Sequence, residues 1–301
     1  MLNFLPVPLI IFFSLTFYVL NTLFWLVPIV IFSFLKAIIP FAAWQKVMSY
    51  LLDAMASNWV GVNSFIQDLF THVNYQHKGL EKLTLNDWYL VISNHQSWVD
   101  ILVLQRVLHG KIPFLKFFLK KELIYVPFLG IAWWALDFPF MKRFSREFLA
   151  KNPHLKGKDI ETTRKACEKF KHKPVSVMNF LEGTRFTSVK QKKQGSEFQY
   201  LLKPKAGGIA FVLDAMRDHL TTIVNVTIEY PQGIPTFIDF VKGKVTQVNV
   251  VIETLPIDEK LIGDYFNDAQ YKENFQLWVN QLWCEKDQQL TSMQSEHKSK
   301  L

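Results

Sequence analysis

The heptapeptide Asn94-His-Gln-Ser-Trp-Val-Asp100 gathers an imidazole, a hydroxyl and a carboxylate in one short stretch. A histidine backed by a carboxylate keeps a defined tautomer and becomes a better proton acceptor. Such a pair can take the proton from a substrate hydroxyl, which then attacks directly, so no protein nucleophile is required. Five helical steps of about 100° would leave His95 and Asp100 roughly 140° apart. The two therefore cannot share one face of a continuous helix. With His95 in a loop and Asp100 in the first helical turn, the chain can fold back and the carboxylate can meet the ring. Ser97 is the natural N-cap of that helix, which continues through Val99, Ile101, Leu102 and Leu104. A plainer reading of the same letters is a capping box, Ser97-Trp-Val-Asp100, beside an ordinary loop histidine.

A second chemical cluster is Leu181-Glu-Gly-Thr-Arg-Phe186. Gly183 permits a tight turn and close approach of a ligand to the backbone. Thr184 supplies a hydroxyl, and Arg185 a planar fork suited to phosphate. Glu182 is placed to orient Arg185 or to hold a substrate hydroxyl. The alternative is a polar turn with a surface ion pair.

Both clusters follow short apolar runs, 88–92 and 175–180, that read as buried strands. Strand ends facing a cleft are where α/β proteins place chemistry. Residues 159–173 read as a helix with Ile160, Thr163, Cys167 and Phe170 inward and Arg164, Lys165, Lys169 and Lys171 outward. That basic face is either solvated or an attractor for acidic ligands. Residues 185–205, carrying Lys190, Lys192, Lys193 and Lys203, read as a mobile basic loop over the site. Lys205-Ala-Gly-Gly208 follows, and residues 209–216 resume a helix. Residues 222–228, 237–241 and 247–255 read as strands closing the sheet. Tyr271, Phe275, Trp278 and Leu282 define a C-terminal amphipathic helix over 261–291, and 292–301 reads as a disordered polar tail.

At the other end, no charged side chain occurs between Met1 and Leu35. A helix over this stretch would be about 50 Å long, against roughly 30 Å for a bilayer core. A tilted spanning helix fits, and so does a bent helix pair broken near Asn21 or Pro28. A cleaved signal peptide fits poorly, for there is no basic n-region and the apolar run is too long. Lys36 and Lys46 follow the segment, which places the next domain in the cytoplasm. Residues 1–40 thus read as a membrane anchor and 41–74 as linking amphipathic helices, on which Trp44, Val47, Leu51 and Met55 recur at helical spacing. Their face either packs on the core or meets lipid. The aromatic-rich stretch 114–140 is either a buried strand-and-helix unit or an apolar tunnel or membrane-facing surface.

A net charge of +8 with half the residues hydrophobic suits an anionic membrane surface or anionic substrates. No nucleic-acid recognition motif accompanies the basic charge, so no nucleic-acid partner is expected. Two cysteines, Cys167 and Cys284, are too few for a disulfide framework and read as reduced thiols. No metal-ligand spacing, phosphate-binding glycine loop or Gly-x-Ser-x-Gly elbow occurs.

The two clusters together resemble the glycerolipid acyltransferase family, whose best-known members are 1-acylglycerol-3-phosphate acyltransferases. That family shows Asn-His-x-Ser-x-x-Asp, then a basic block, then Phe-Pro-Glu-Gly-Thr-Arg-Ser. The first block matches at Asn94, His95, Ser97 and Asp100. The second matches at Phe180, Glu182, Gly183, Thr184 and Arg185, and departs at Leu181 and Phe186. The intermediate block corresponds to Lys120-Lys-Glu-Leu-Ile-Tyr-Val-Pro-Phe-Leu-Gly130 and runs on to Arg143, where the family has an arginine that contacts acceptor phosphate. A fourth block corresponds loosely to residues 223–228, where Asn225 and Thr227 are more polar than the pattern. Lys205 falls near a Lys-x-Gly element of related enzymes.

The resemblance spans about residues 75–255 and is nearest to bacterial inner-membrane members. It implies an α/β fold with a mixed central sheet flanked by helices, a catalytic domain over 75–260, and an N-terminal hydrophobic membrane helix or helix pair. It implies transfer of a fatty acyl group to a lysophospholipid acceptor, 1-acylglycerol-3-phosphate above others. His95 would be the base, Asp100 its partner, and backbone N–H groups of the His95 turn the oxyanion donors. Arg143, Arg185, Glu182, Gly183 and Thr184 would bind substrate, with Asn94, Ser97 and Lys205 as further candidates. No metal or resident cofactor is implied; acyl-coenzyme A or acyl carrier protein would be the thioester co-substrate. The expected place is the bacterial inner membrane, cytoplasmic side. The rivals are a remodelling acyltransferase or transacylase on another lysophospholipid, a lipid hydrolase, and a non-catalytic membrane scaffold.

Overall fold

A computed structural model of the chain describes residues 2–141, Cys167, Phe170, 173–265 and 267–298. The chain begins with two long antiparallel helices, α1 (Val7–Ile38) and α2 (Ala42–Phe70). Neither Asn21 nor Pro28 breaks α1. Asn21 is consumed by packing: its Nδ2 donates to Trp59 O at 3.0 Å and to Asn63 Oδ1 at 2.9 Å, both on α2. Pro28 is carried within the helix while Trp25, Ile29 and Phe32 pack on the main core. On α2 the buried stripe is Met48, Leu52, Ala56 and Val60. Of the expected stripe, Val47 and Leu51 are exposed, while Trp44 and Met55 are half-buried, Met55 against the core. Several bulky residues of α1, among them Phe12, Phe17, Phe24 and Phe34, are exposed as well. A soluble protein rarely shows so large an apolar surface without a partner for it.

The sheet strands are β1 (Asn74–Lys78), β2 (Tyr89–Ser93), β3 (Leu115–Phe117), β6 (Ser176–Phe180), β7 (Thr222–Glu229) and β8 (Gln247–Pro256). Between β3 and β6 a two-stranded ribbon pairs β4 (Leu119–Lys120) with β5 (Phe140–Met141). The large sheet runs β1-β8-β7-β2-β6-β3, all neighbours parallel except β7 and β8. Every residue of β2 is buried, as a central strand covered on both faces requires. One face carries α1, α2, α3 (Val99–Leu108), α4 (Leu129–Ala135) and α7 (Phe237–Val241). The other carries α6 (Gly207–Ala215) and α8 (Ala269–Lys298). Tyr89 and Val91 of β2 point to the first layer, Leu90 and Ile92 to the second.

Three sequence expectations change. Residues 237–241 form α7 and not a strand, because Thr236 and Asp239 close a capping box that the apolar letters Phe-Ile-Asp-Phe-Val concealed. The basic stretch after Arg185 is not wholly a loop. It holds α5 (Ser188–Gln194), capped by the Thr187 side chain and closed by Gly195 at φ 54°. The polar tail is helical as far as Lys298, anchored where Gln294 Nε2 donates to Glu229 Oε1 of β7 at 2.6 Å.

Candidate active site

The parallel strands β2, β6 and β7 end together. Register sets Ser93 beside Phe180 on β6 and beside Val226 on β7. Two residues past Ser93 is His95, and two past Phe180 is Glu182. The motifs far apart in sequence are therefore opposed across adjacent strand exits. Asn94 prolongs the ladder with its side chain: Nδ2 donates to Ile228 O, and Oδ1 accepts Ile228 N–H, each at 2.9 Å. It is wholly buried and structural.

His95 Nδ1 lies 2.8 Å from Asp100 Oδ2. The same oxygen accepts the N–H groups of Gln96 at 2.6 Å and Ser97 at 2.8 Å. Asp100 closes the turn with the same oxygen that reaches the ring, and the helix that follows has Trp98, not the expected Ser97, as its N-cap. Ser97 supplies only half of a capping box. Its Oγ accepts Val99 N–H at 3.1 Å and donates to Pro235 O at 2.6 Å. Asp100 is 1% exposed in its side chain and His95 12%. With Nδ1–H donating to the Asp100 carboxylate, Nε2 is the ring nitrogen left to accept a proton. The His95 ring stacks on Phe180 at 3.9 Å between centroids and 11° between planes. Phe117 and Phe138 continue that aromatic row inward.

Two expected roles are overturned by hydrogen bonding. Glu182 orients neither Arg185 nor a substrate hydroxyl. Its Oε1 accepts His95 N–H at 2.8 Å and its Oε2 accepts Leu202 N–H at 2.9 Å. Burial pushes its carboxyl up to about 8, against the pull of those two donors. The N–H groups of His95, Gln96 and Ser97 are thus all engaged within the protein and do not face a substrate oxyanion.

Gly183 sits at φ 68°, a left-handed conformation that turns the chain sharply after Glu182. Thr184 Oγ1 accepts from Lys190 Nζ of α5 at 2.8 Å, and Arg185 O accepts from the same ammonium at 2.9 Å. The Arg185 guanidinium is exposed and lies 4.7 Å from the ring centre of Trp98, within the loop that carries His95 and Asp100. Lys205 is exposed, and its backbone N–H donates to Leu181 O at 2.8 Å. Gly130 of the intermediate block has no room for a Cβ, which would lie 2.1 Å from Ile124 O. Arg143 and most of 159–173 lie outside the described residues. Among the described residues, no group of three or more His, Cys, Asp or Glu side chains could hold a metal ion.

Two functional neighbours were missed in the sequence. Tyr230, the residue after β7, donates its hydroxyl to Asp100 Oδ1 at 2.6 Å. Nothing in its letter marks it. Lys286 of α8 is 2% exposed, and its Nζ donates to Val226 O at 2.7 Å and Thr227 Oγ1 at 2.9 Å. Burial drives this ammonium down to about 7, although Glu253 and Glu182 pull the other way. Here a signal existed. Lys286 occupies the buried stripe Phe275, Val279, Leu282, Trp283 and Leu290, a charge where helical spacing demands an apolar residue. The polar Asn225 and Thr227 stand on the strand facing it. Trp283 Nε1 donates to Leu202 O at 3.1 Å, so α8 reaches Glu182 through a single residue.

Comparison with known proteins adds an independent line. The family model described as Acyltransferase matches residues 74–229, just over half of the chain. A lysocardiolipin acyltransferase 1 from Mus musculus is 25% identical over 224 residues, covering 67% of this chain and 53% of that protein. The 1-acyl-sn-glycerol-3-phosphate acyltransferase gamma of Homo sapiens is 24% identical over 213 residues, covering 66% of this chain and 51% of its own. The chain thus spans about half the length of the curated relatives it matches. The crystal structure of the 1-acyl-sn-glycerophosphate (LPA) acyltransferase PlsC from Thermotoga maritima superposes with a TM-score of 0.53 at 16% identity, over 92% of this chain and 94% of that one. The fold is shared over that span.

Proposed function

Because this chain belongs to the Acyltransferase family, we propose that it transfers a fatty acyl group from a thioester to the free hydroxyl of a lysophospholipid, 1-acylglycerol-3-phosphate above others. The observation that carries this reading is His95 Nδ1 at 2.8 Å from Asp100 Oδ2, at the shared exit of three parallel strands. His95 Nε2 takes the hydroxyl proton as the oxygen attacks the thioester carbonyl, and Asp100 stabilises the imidazolium that forms. The tetrahedral intermediate then collapses, the thiolate leaves, and the imidazolium returns a proton to it. Glu182 holds the backbone of His95 in place. Arg185, exposed beside Trp98, binds the acceptor phosphate together with Arg143, and Gly183 and Thr184 shape the turn that presents it. Neither a metal nor a resident cofactor enters the scheme; the donor is acyl-coenzyme A or an acyl carrier protein.

The membrane enters through the helix pair. α1 is long and apolar enough to cross a bilayer. Yet Ile29 is fully buried against the catalytic core, Leu2 N–H donates to Leu69 O, and Lys36 pairs with Asp137. Docked along its length, α1 lies beside the domain with its outward phenylalanines in one leaflet. The exposed Val47 and Leu51 of α2 extend that surface. Lys36 and Lys46 favour the cytoplasmic side of a bacterial inner membrane.

A second reading, a remodelling enzyme acting on another lysophospholipid, is favoured by one specific fact: relatives of nearly equal identity carry either lysocardiolipin or 1-acylglycerol-3-phosphate in their names. Purified protein in detergent, given a panel of acyl thioesters and lysolipids, separates the two by product mass. Phosphatidic acid as the main product supports the first reading. Acylation of a lysolipid without a terminal phosphate, at equal or greater rate, supports the second, and free fatty acid without any acceptor contradicts both.

A further inference from the structure

We propose that Tyr230 is a positioning residue of the transfer reaction, its phenol fixing Asp100 so that one carboxylate oxygen stays on His95. The inference rests on the reading of His95 as base and Asp100 as its partner. Tyr230 is 3% exposed and follows directly on β7. Its hydroxyl reaches Asp100 Oδ1 at 2.6 Å, while Oδ2 serves the His95 ring and the N–H groups of Gln96 and Ser97. The two oxygens therefore have separate duties, and neither is free to exchange with the other.

A carboxylate only 1% exposed cannot draw on water, so each protein donor counts toward satisfying it and holding it in place. The phenol is a donor at every working pH, since burial pushes its own titration well above the ordinary tyrosine range. When the hydroxyl attacks, the imidazole becomes imidazolium, and an ionised Asp100 is what stabilises it. Tyr230 touches no reacting atom and acts through Asp100 alone. Titratable and charged groups converge on this pair from every side. Asp100 comes from α3, Tyr75 of β1 stands near the phenol, and Glu182 grips the His95 backbone from the turn after β6. Lys286 of α8 acts on Glu182, and Arg185 lies over the Trp98 ring.

The test compares the full chain with Tyr230→Phe in detergent, on 1-acylglycerol-3-phosphate and acyl-coenzyme A, with His95→Ala as the blank. Tyr230→Phe is expected to lower kcat roughly 3- to 30-fold, with both KM values within about twofold. Without the phenol the Asp100–His95 pair loses the donor that holds Oδ1, so the acidic limb of kcat/KM moves to higher pH. In an Asp100→Asn background the same change costs nothing further, because the phenol acts through that carboxylate. Nitrogen-15 spectra of the His95 ring, identified by its loss in His95→Ala, show one Nδ1-protonated tautomer in the parent and a mixture in Tyr230→Phe. That readout needs no turnover.

An unchanged kcat overturns the proposal. So does a lower kcat with the acidic limb and ring spectrum unmoved, or an effect that persists in Asp100→Asn. Activity surviving in His95→Ala overturns the reading of the site itself, and this role with it. Should Tyr230→Phe fail to fold, 3-fluorotyrosine at position 230 keeps the shape and strengthens the donor. The limb must then move to lower pH, and no movement overturns the proposal.

Discussion

Glu182 holds the backbone of His95, not its ring: Oε1 accepts the His95 N–H at 2.8 Å from the neighbouring strand exit. The offset is set by β-sheet register, since both residues lie two places beyond the paired Ser93 and Phe180. His95 is therefore fixed twice, by Asp100 at the ring and by Glu182 at the main chain.

The Glu182 carboxyl sits near 8 in the folded protein and near 4.5 in the unfolded chain. The folded state keeps a proton that the unfolded chain has released. Stability from that proton is complete below the unfolded value and is lost as pH rises through the folded one. Glu182→Gln cannot release a proton, so its melting temperature changes less between pH 5 and 8 than the parent's. Unfolding followed across that range by near-ultraviolet circular dichroism measures both slopes. Equal slopes would mean that the carboxylate is not the group responsible. Because the amide keeps only one acceptor oxygen for two backbone donors, kcat also falls by at least about tenfold.

Lys286 carries the opposite sign. Its folded value, about 7, lies below the ordinary 10.5, so the unfolded chain binds the extra proton between them. Its contribution is complete above the unfolded value and is lost as pH falls through the folded one. Lys286→Met keeps the length of the side chain and removes the charge. The variant should melt at or above the parent temperature at pH 7, and the parent should gain on it by on the order of a few kcal/mol as pH rises toward 10. Parallel curves for the two proteins would show that the buried ammonium does not titrate in this way.

Asp100→Asn leaves the turn nearly isosteric but offers the ring a neutral partner. The amide can no longer demand the proton at Nδ1, so the wrong tautomer becomes accessible. We expect kcat to fall about 10²- to 10⁴-fold with little change in acceptor KM. A loss smaller than about fivefold would leave Asp100 a capping residue only.

Ile29 tests how the first helix sits. It is fully buried in the same cluster as Val91 of β2 and Val226 of β7. Ile29→Ala should cost about 2–5 kcal/mol of stability in denaturant titrations of the detergent-solubilised protein. A cost below about 0.5 kcal/mol would place α1 away from the domain, as a spanning helix that leaves it would be.

Much of the site could be read from letters because its chemistry is local. His95 and Asp100 lie five places apart in one turn, and the fold-back needed to join them followed from helical geometry. Their strands announced themselves as apolar runs of the right length. The role of Glu182 was misread because its partners, His95 N–H and Leu202 N–H, are set by register between strands. For Tyr230 the partner is 130 residues away in sequence, and no periodicity marks it. α7 was misread because a capping box outcompeted an apolar run. On α2, the expected stripe Trp44, Val47, Leu51, Met55 is split: Val47 and Leu51 are exposed, while Met55 packs against the core. Helical spacing finds an apolar stripe but does not say whether protein or lipid covers it. Lys286 was legible in principle, since a lysine on an apolar stripe facing Asn225 and Thr227 on a strand is one anomaly seen from two sides.

The most direct measurement is the rate of acyl transfer by His95→Ala, with its fold verified by circular dichroism and its melting curve, on the thioester and lysolipid pair that the parent uses best. The account predicts a loss of at least about 10²-fold in kcat, because general-base catalysis typically supplies 10²- to 10⁴-fold. A folded His95→Ala protein within about tenfold of the parent would contradict it.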